Sequence, residues 1–357
     1  MPISTKAHDV MFTGGVPGLT AGTVFEALSA AVGGRALGLP DGDIGDRRGW
    51  ITVLAATTWG KVDGLAEISS PIPDDHPGAH WFRTFKIKDG VESLDLKGLL
   101  PYSRGALESY PVFKRFREEG TIDPEVRFQV GIPGAHDAVA LHFPDPADWK
   151  LALSAWTDAV QDEYWRMLEV IPADDLIIQL DYCTELVDIA GFLADVCTWD
   201  SGASSEEKFA IYTGEDYLAA HTAGLSEDVP LGYHICAGTW PKQPVAEIDD
   251  ISLPVRIANA LAVNSGRRVD FFHMPALRDS DEHYFAPMKD LDVGEAAVYL
   301  GLECNDGLDA MERRISYAKS SFSDFGVAHY CGYTLQADIL PQLLDDLGAG
   351  ADFNARH

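Results

Sequence analysis

The sequence predicts an α/β protein: a single (β/α)8 barrel of the TIM type with an insertion between its second and third strands. Three observations carry that prediction. Eight short apolar runs of strand length recur along the 357 residues. Amphipathic stretches with helical spacing lie between most of them. Strands that alternate with helices pair in parallel, and eight is the number at which such a sheet closes into a barrel. A chain that is 46% hydrophobic has ample material for one large core, so residues 1–357 are read as one domain.

The eight runs, in order, are DVMF (9–12), RALGLP (35–40), VRFQVGIP (126–133), DLIIQLD (175–181), LGYHICA (231–237), RVDFFHM (268–274), AAVYLGLE (296–303) and GVAHYCG (326–332). The clearest helix follows PDPADW, where Asp145 can cap and Pro146 suits the first turn. Trp149, Leu153, Trp156, Val160, Tyr164 and Leu168 then form one apolar stripe. Residues 308–319 repeat the pattern, and LPVRIANALAV (253–263) places Pro254 near a helix start. Residues 41–125 are too long for a simple crossover. They hold SSPIPDDHPGAHWF and a helix-like ALESYPVFKRFREEG, and no linker-like composition bounds them, so they read as a lid or side insertion.

Composition excludes several function classes. Lys and Arg number 27 against 56 Asp and Glu, a net charge of −29. Nucleic acids, anionic membranes and polyanionic substrates are disfavoured, because binding them rests on neutralising their charge. The expected partner is a small molecule, with the chain acting alone or as a homodimer. No apolar run approaches the ~18 residues of a membrane span. The start MPISTKAHDVMFTGG has no apolar signal core, and five scattered cysteines are an odd count for a disulfide framework. Free thiols in the cytoplasm are the expectation.

In an α/β barrel the chemistry sits where strands end and the following loops begin. The second strand ends in Asp41 and Asp43, followed by Arg47 and Arg48. The arginines could grip a carboxylate bidentately, or the segment could be a solvated Asp-Gly turn. The fourth strand ends in Asp181 and Glu185, candidates for acid–base work or for holding an ammonium group; Glu185 could equally cap the next helix. The fifth delivers His234 and Cys236, two residues apart and so on one face, about 7 Å apart at the backbone. Cys331 on the eighth strand offers a second thiol, and thiolate with imidazole favours zinc. His273 ends the sixth strand, Glu303 the seventh, and His329 shares a face with Cys331 as a candidate proton donor. Trp240 and Tyr233 flank the His-x-Cys strand and could wall a pocket. Cys183, Cys197 and Cys304 read as structural, and His283 as a helix residue beyond the strand end.

The motifs resemble the catalytic half of cobalamin-independent methionine synthase, in the superfamily that also holds uroporphyrinogen decarboxylase. GGVPG (14–18) resembles the opening Gly-Ser-x-Pro turn of that family, and DGDIGDRR (41–48) its second-strand His-Gly-Glu segment. Gln179 and Asp181 match Gln-x-Asp-Glu-Pro, HIC (234–236) matches His-x-Cys, and Cys331 with Gly332 matches the closing Cys-Gly. The resemblance implies that His234, Cys236 and Cys331 hold a zinc ion that ionises an acceptor thiol, which then attacks a methyl group. It also implies a substrate-facing place for Gln179. Where the family has its fourth ligand, a Glu, this chain has Pro275. His273 is then the first substitute and Glu303 the second, with a water as the remaining choice. Asp43 stands for the longer Glu of the second strand, and Tyr182 with Cys183 replaces Glu-Pro. The pattern is closest to single-barrel members of the superfamily.

These readings converge on a zinc-dependent enzyme that transfers a methyl or other alkyl group to a thiolate. Asp181, His329 and Glu185 are the candidate catalytic groups. Asp41, Asp43, Arg47, Arg48, Gln179 and Trp240 are the candidate substrate contacts. Two alternatives use the same barrel: a lyase or decarboxylase acting on a small carboxylated or aromatic substrate, and a non-catalytic small-molecule-binding paralogue.

Overall fold

The computed structural model describes residues 3–76 and 83–357; the last part of SSPIPDDHPGAHWF, residues 77–82, lies outside the described residues. The strands are β1 (Val10–Met11), β2 (Gly38–Pro40), β3 (Leu65–Ile68), β4 (Thr84–Ile87), β5 (Arg127–Pro133), β6 (Leu176–Tyr182), β7 (Leu231–Ile235), β8 (Phe271–Pro275), β9 (Ala297–Glu303) and β10 (Gly326–His329). Eight of them form one parallel sheet in the order β1-β10-β9-β8-β7-β6-β5-β2. A parallel bridge from Val10 to Ala36, with Leu37 N–H donating to the Val10 carbonyl at 2.9 Å, joins the two ends into a barrel. Every one of the eight runs read from the sequence contributes a strand to it.

The strands are buried because helices cover their outer face and side chains fill their inner one. All residues of β6, β8 and β9 are buried, as a parallel sheet enclosed on both sides requires. Met11, Leu37, Ile177, Phe271, Tyr299 and Ala328 pack together as an apolar plug, separate from the main core outside the sheet. Two-residue alternation then carries Gln179, Asp181 and Cys183 up from Ile177, and His273 and Pro275 up from Phe271. The register Asp181↔His234 and His234↔His273 sets one carboxylate and two imidazoles side by side.

The helix Pro146–Leu168 starts as the sequence predicts, with Asp145 accepting from Ala147 N–H at 3.0 Å. Trp149, Trp156, Val160 and Tyr164 of its stripe are buried, while Leu153 and Leu168 lie at its edge. The insertion is smaller than its sequence range suggests. The helix Tyr102–Glu118 packs on β5 and on the helices Ala21–Val32 and Pro146–Leu168, which makes it a barrel helix. The excursion proper holds short 3-10 turns and the antiparallel hairpin β3–β4, fastened by Phe85 N–H donating to the His142 carbonyl at 2.8 Å. Among the described residues no helix is long and apolar enough to cross a membrane.

Trp156 ties helix to barrel: it is fully buried, donates to the Pro133 carbonyl at 3.3 Å and meets Tyr102 edge-on at 6.2 Å. Trp156→Ala is expected to cost about 3–5 kcal/mol in chemical denaturation, the range for emptying a large aromatic site. A loss below about 1 kcal/mol would contradict this packing.

Candidate metal centre and cavity

His234 Nε2, Cys236 Sγ and Cys331 Sγ converge at the carboxyl mouth of the barrel, all within 4.8 Å of one another. The sulfurs are 3.8 Å apart, and Cys331 Sγ is 3.7 Å from His234 Nε2. Bond lengths of ~2.3 Å to sulfur and ~2.0–2.1 Å to nitrogen at tetrahedral angles put two thiolates ~3.8 Å apart and a thiolate ~3.6 Å from an imidazole nitrogen. The three donors therefore fit zinc. Cys331 does not come from an adjoining strand. β10 lies three places from β7, and the thiols meet across the mouth.

His273 is not the missing ligand. Its Nε2 lies 3.0 Å from the His329 carbonyl, which can only accept, so Nε2 carries the proton. Its Nδ1 then holds a lone pair and accepts His234 Nδ1–H at 2.7 Å. His234 Nε2 is left with a lone pair aimed at the thiols. Burial favours the neutral ring in both cases, holding His273 down to about 4 and His234 well below the usual imidazole range. Gly301 makes room for this arrangement. A Cβ there would come 2.7 Å from Tyr330 Cα and 3.1 Å from His273 Nε2. Glu303, the second substitute, is also placed elsewhere: it accepts Asn305 N–H at 2.7 Å and faces His329 Nε2 at 3.2 Å.

Beside the donors opens a cavity of about 320 Å³. Asp181 stands in its wall with both oxygens engaged, accepting Gln179 Nε2–H and Trp50 Nε1–H at 2.8 Å each. Burial, then the charge of Asp137, pushes its carboxyl well above the usual carboxylate range, and those two donors oppose the shift. Asp43 lines the cavity too, held up at about 6 by burial although Arg47 pulls it down. Trp240 lines it as well.

Other expected site residues fall outside the cavity. Arg47 is buried and paired with Asp41 at 2.5 Å and Asp43 at 3.3 Å; it lines only a small side pocket beside Asp43 and Asp181, and Asp41 serves as its counter-ion. Arg48 turns outward and donates to the Gly18 carbonyl. Gln179 is fully buried, bridging Gln129 at 2.9 Å to Asp181, so it positions Asp181. Glu185 lies fully buried in the first turn of the helix Thr184–Ile189, accepting from Tyr217 Oη at 2.6 Å behind the cavity wall. His329 is enclosed too. Its Nδ1 is 2.6 Å from the Cys331 carbonyl, its Nε2 is 2.9 Å from Asn305 Oδ1, and burial holds it down at about 3. It cannot give a proton to the cavity.

Among the cavity residues that the sequence reading misses, Trp50 and Cys183 stand beside Asp181 and Cys236. Trp50 lies in the insertion with φ 54, a left-handed backbone that is costly for a bulky residue, just after Gly49 at φ 108. No periodicity marks it. Cys183, read as structural, lines the cavity. Continuing the register Tyr182↔Ile235 places it level with Cys236, and Cys236 N–H donates to the Tyr182 carbonyl at 3.3 Å. The two-residue spacing from Asp181 was the available signal.

No family model matches the sequence, and no curated protein matches it. Among solved structures, the chain is similar to a B12-independent methionine synthase from Shewanella sp. W3-18-1 in complex with selenomethionine. The TM-score is 0.65 at 12% identity, over 98% of each chain. It is also similar to a proposed vitamin-B12-independent methionine synthase from Listeria monocytogenes, with TM-score 0.54 at 16% identity over 94% of this chain and 86% of the other. The shared fold is the barrel that the sequence motifs imply.

Two outcomes follow from the geometry. His273→Ala is expected to weaken zinc binding about 10–100-fold, as loss of a group orienting a ligand does, measured by competition with a chromophoric chelator. A loss as complete as that of Cys236→Ser would make His273 a ligand. Asp43 is expected to titrate near 6 in carbon-detected NMR of the carboxyl groups. A value below 4 would show that the Arg47 charge outweighs burial.

Proposed function

We propose that the chain transfers a methyl or other alkyl group to a thiolate acceptor at a zinc site made by His234, Cys236 and Cys331. One observation carries this reading: a neutral imidazole nitrogen and two thiols stand at tetrahedral spacing in the wall of the cavity. Three protein donors with a fourth position open is the pattern of catalytic zinc, whereas structural sites close with four. Pro275 in place of the family's Glu, and the use of both His273 nitrogens elsewhere, leave that fourth position to the acceptor. The likeness in fold to barrels named as methionine synthases is consistent with this reading.

Zinc bound there would supply the positive charge that stabilises a thiolate at neutral pH. The chain's own residues do the rest. The His273–His234 pair fixes the donor nitrogen. Trp50, Trp240 and the aliphatic wall keep water away from the sulfur. Gln179 and Trp50 hold Asp181 in place, with its carboxyl available to bind a polar group or carry a proton beside the reacting atoms. The convergence of the donors favours this reading over a metal-free lyase.

Protein purified without added metal is expected to hold about one zinc per chain. Cys236→Ser and Cys331→Ser are expected to lose both zinc and thiol alkylation with an unchanged circular dichroism spectrum. Elemental analysis beside an acceptor-thiol consumption assay reads both. Full activity in a folded, zinc-free wild type would sink the proposal.

A further inference from the structure

We infer that the group donor taken by this cavity is a cation, an onium compound in which the transferred methyl sits on a positively charged sulfur or nitrogen. The inference rests on the alkyl-transfer reading above and names its donor class.

The cavity's charge inventory carries it. Among the described residues no lysine or arginine lines the cavity. Arg47 reaches only the small adjoining pocket that shares Gly14, Asp43, Trp50 and Asp181 with the cavity, and it is paired there with Asp41 and Asp43; Arg48, next to Gly49, points to the Gly18 carbonyl. Two acidic side chains do line it: Asp43, which Arg47 pairs at 3.3 Å, and Asp181, held by the neutral donors Gln179 and Trp50. An anionic donor, such as one with a carboxylate tail or a phosphate, would meet acidic side chains and no lysine or arginine in this wall, and burying an unpaired charge is costly. A chain of net charge −29 adds a long-range field of the same sign.

The rest of the wall suits a soft, poorly hydrated cation. Trp50, Trp240 and Tyr330 bring aromatic rings to the cavity, and Val187, Val245 and Leu141 bring aliphatic surface. Methylated sulfonium and ammonium centres shed water readily and are attracted to aromatic faces, whereas a compact primary ammonium prefers to remain hydrated. About 320 Å³ is near the lower end for a small-molecule site and admits a compact donor.

The step balances without further reagents. A lone pair on the acceptor thiolate forms a new S–C bond to the methyl carbon. The C–S⁺ or C–N⁺ bond breaks, and its electron pair stays on the leaving sulfur or nitrogen. One negative and one positive charge cancel, giving two neutral products, and no proton, oxidant or reductant is required. A neutral leaving group no longer attracts Asp43 and Asp181, so the charge that recruits the donor does not retain the product.

The test compares choline with its neutral isostere 3,3-dimethylbutanol on the zinc-loaded protein, read by tryptophan fluorescence and calorimetry. Choline is expected to bind at least about 10-fold more tightly. Asp43→Asn is expected to shrink that preference about 5-fold or more while leaving the isostere's affinity in place. Equal binding of the two probes by the wild type would overturn the inference, and so would tighter binding of a methylated pteridine bearing a glutamate tail. The wild-type comparison stands alone if Asp43→Asn does not fold. Charge preference is read from binding and alkyl transfer from product formation, so this inference and the reading beneath it fail separately.

Discussion

The candidate metal site depends on one chain of hydrogen bonds, from His234 through His273 to the backbone carbonyl of His329. A carbonyl cannot donate, so its position fixes the proton on one imidazole and, through it, on the next. The final result is a bare nitrogen 3.7 Å from Cys331 Sγ. The backbone group that ends this relay lies on β10, two residues before Cys331 itself. Strand placement, ring tautomer and donor geometry are thus set by the same closure of the barrel. Gly301 is part of it, because any side chain there would strike the Tyr330 backbone and crowd the His273 ring.

A second constraint comes from charge. Four ionisable groups gather where β2 and β6 end, and three of them are carboxylates. Arg47 neutralises Asp41 and leans on Asp43, and Asp181 is held by two neutral donors, an amide and an indole. The insertion supplies Trp50, and so closes the cavity over Asp181 from outside the barrel. The barrel frame provides the sulfur and nitrogen donors, while the excursion after β2 decides what can sit above them.

Much of this was legible in the sequence. The eight strands follow from apolar runs of fixed length, and the polar residue at each carboxyl end follows from the rule that barrel loops carry the chemistry. His234 and Cys236 share a face because strand side chains alternate, and the structure keeps that parity. What was not legible depends on partners distant in sequence. Arg47 and Arg48 look alike in the chain, yet one is buried between two carboxylates and the other faces a backbone carbonyl. His273 stands on the face expected of a ligand, but its role is settled by what its other nitrogen meets, 56 residues away. Trp50 follows a glycine-rich turn without periodicity, and only the fold brings it within 2.8 Å of Asp181. Glu185 and His329 sit near strand ends as predicted, but rotate into the layer behind the cavity, where Tyr217, Asn305 and Glu303 occupy them.

X-ray absorption at the zinc edge, on substrate-free wild-type protein, tests the central claim most directly because it counts donors by element. The account predicts two sulfurs near ~2.3 Å, one imidazole nitrogen near ~2.0–2.1 Å and one further light donor that does not belong to a histidine. Two imidazole nitrogens would return His273 to the metal and break the proton relay. Three sulfurs would bring in Cys183 and close the position reserved for the acceptor. Protein that folds with no zinc to absorb would contradict the site altogether.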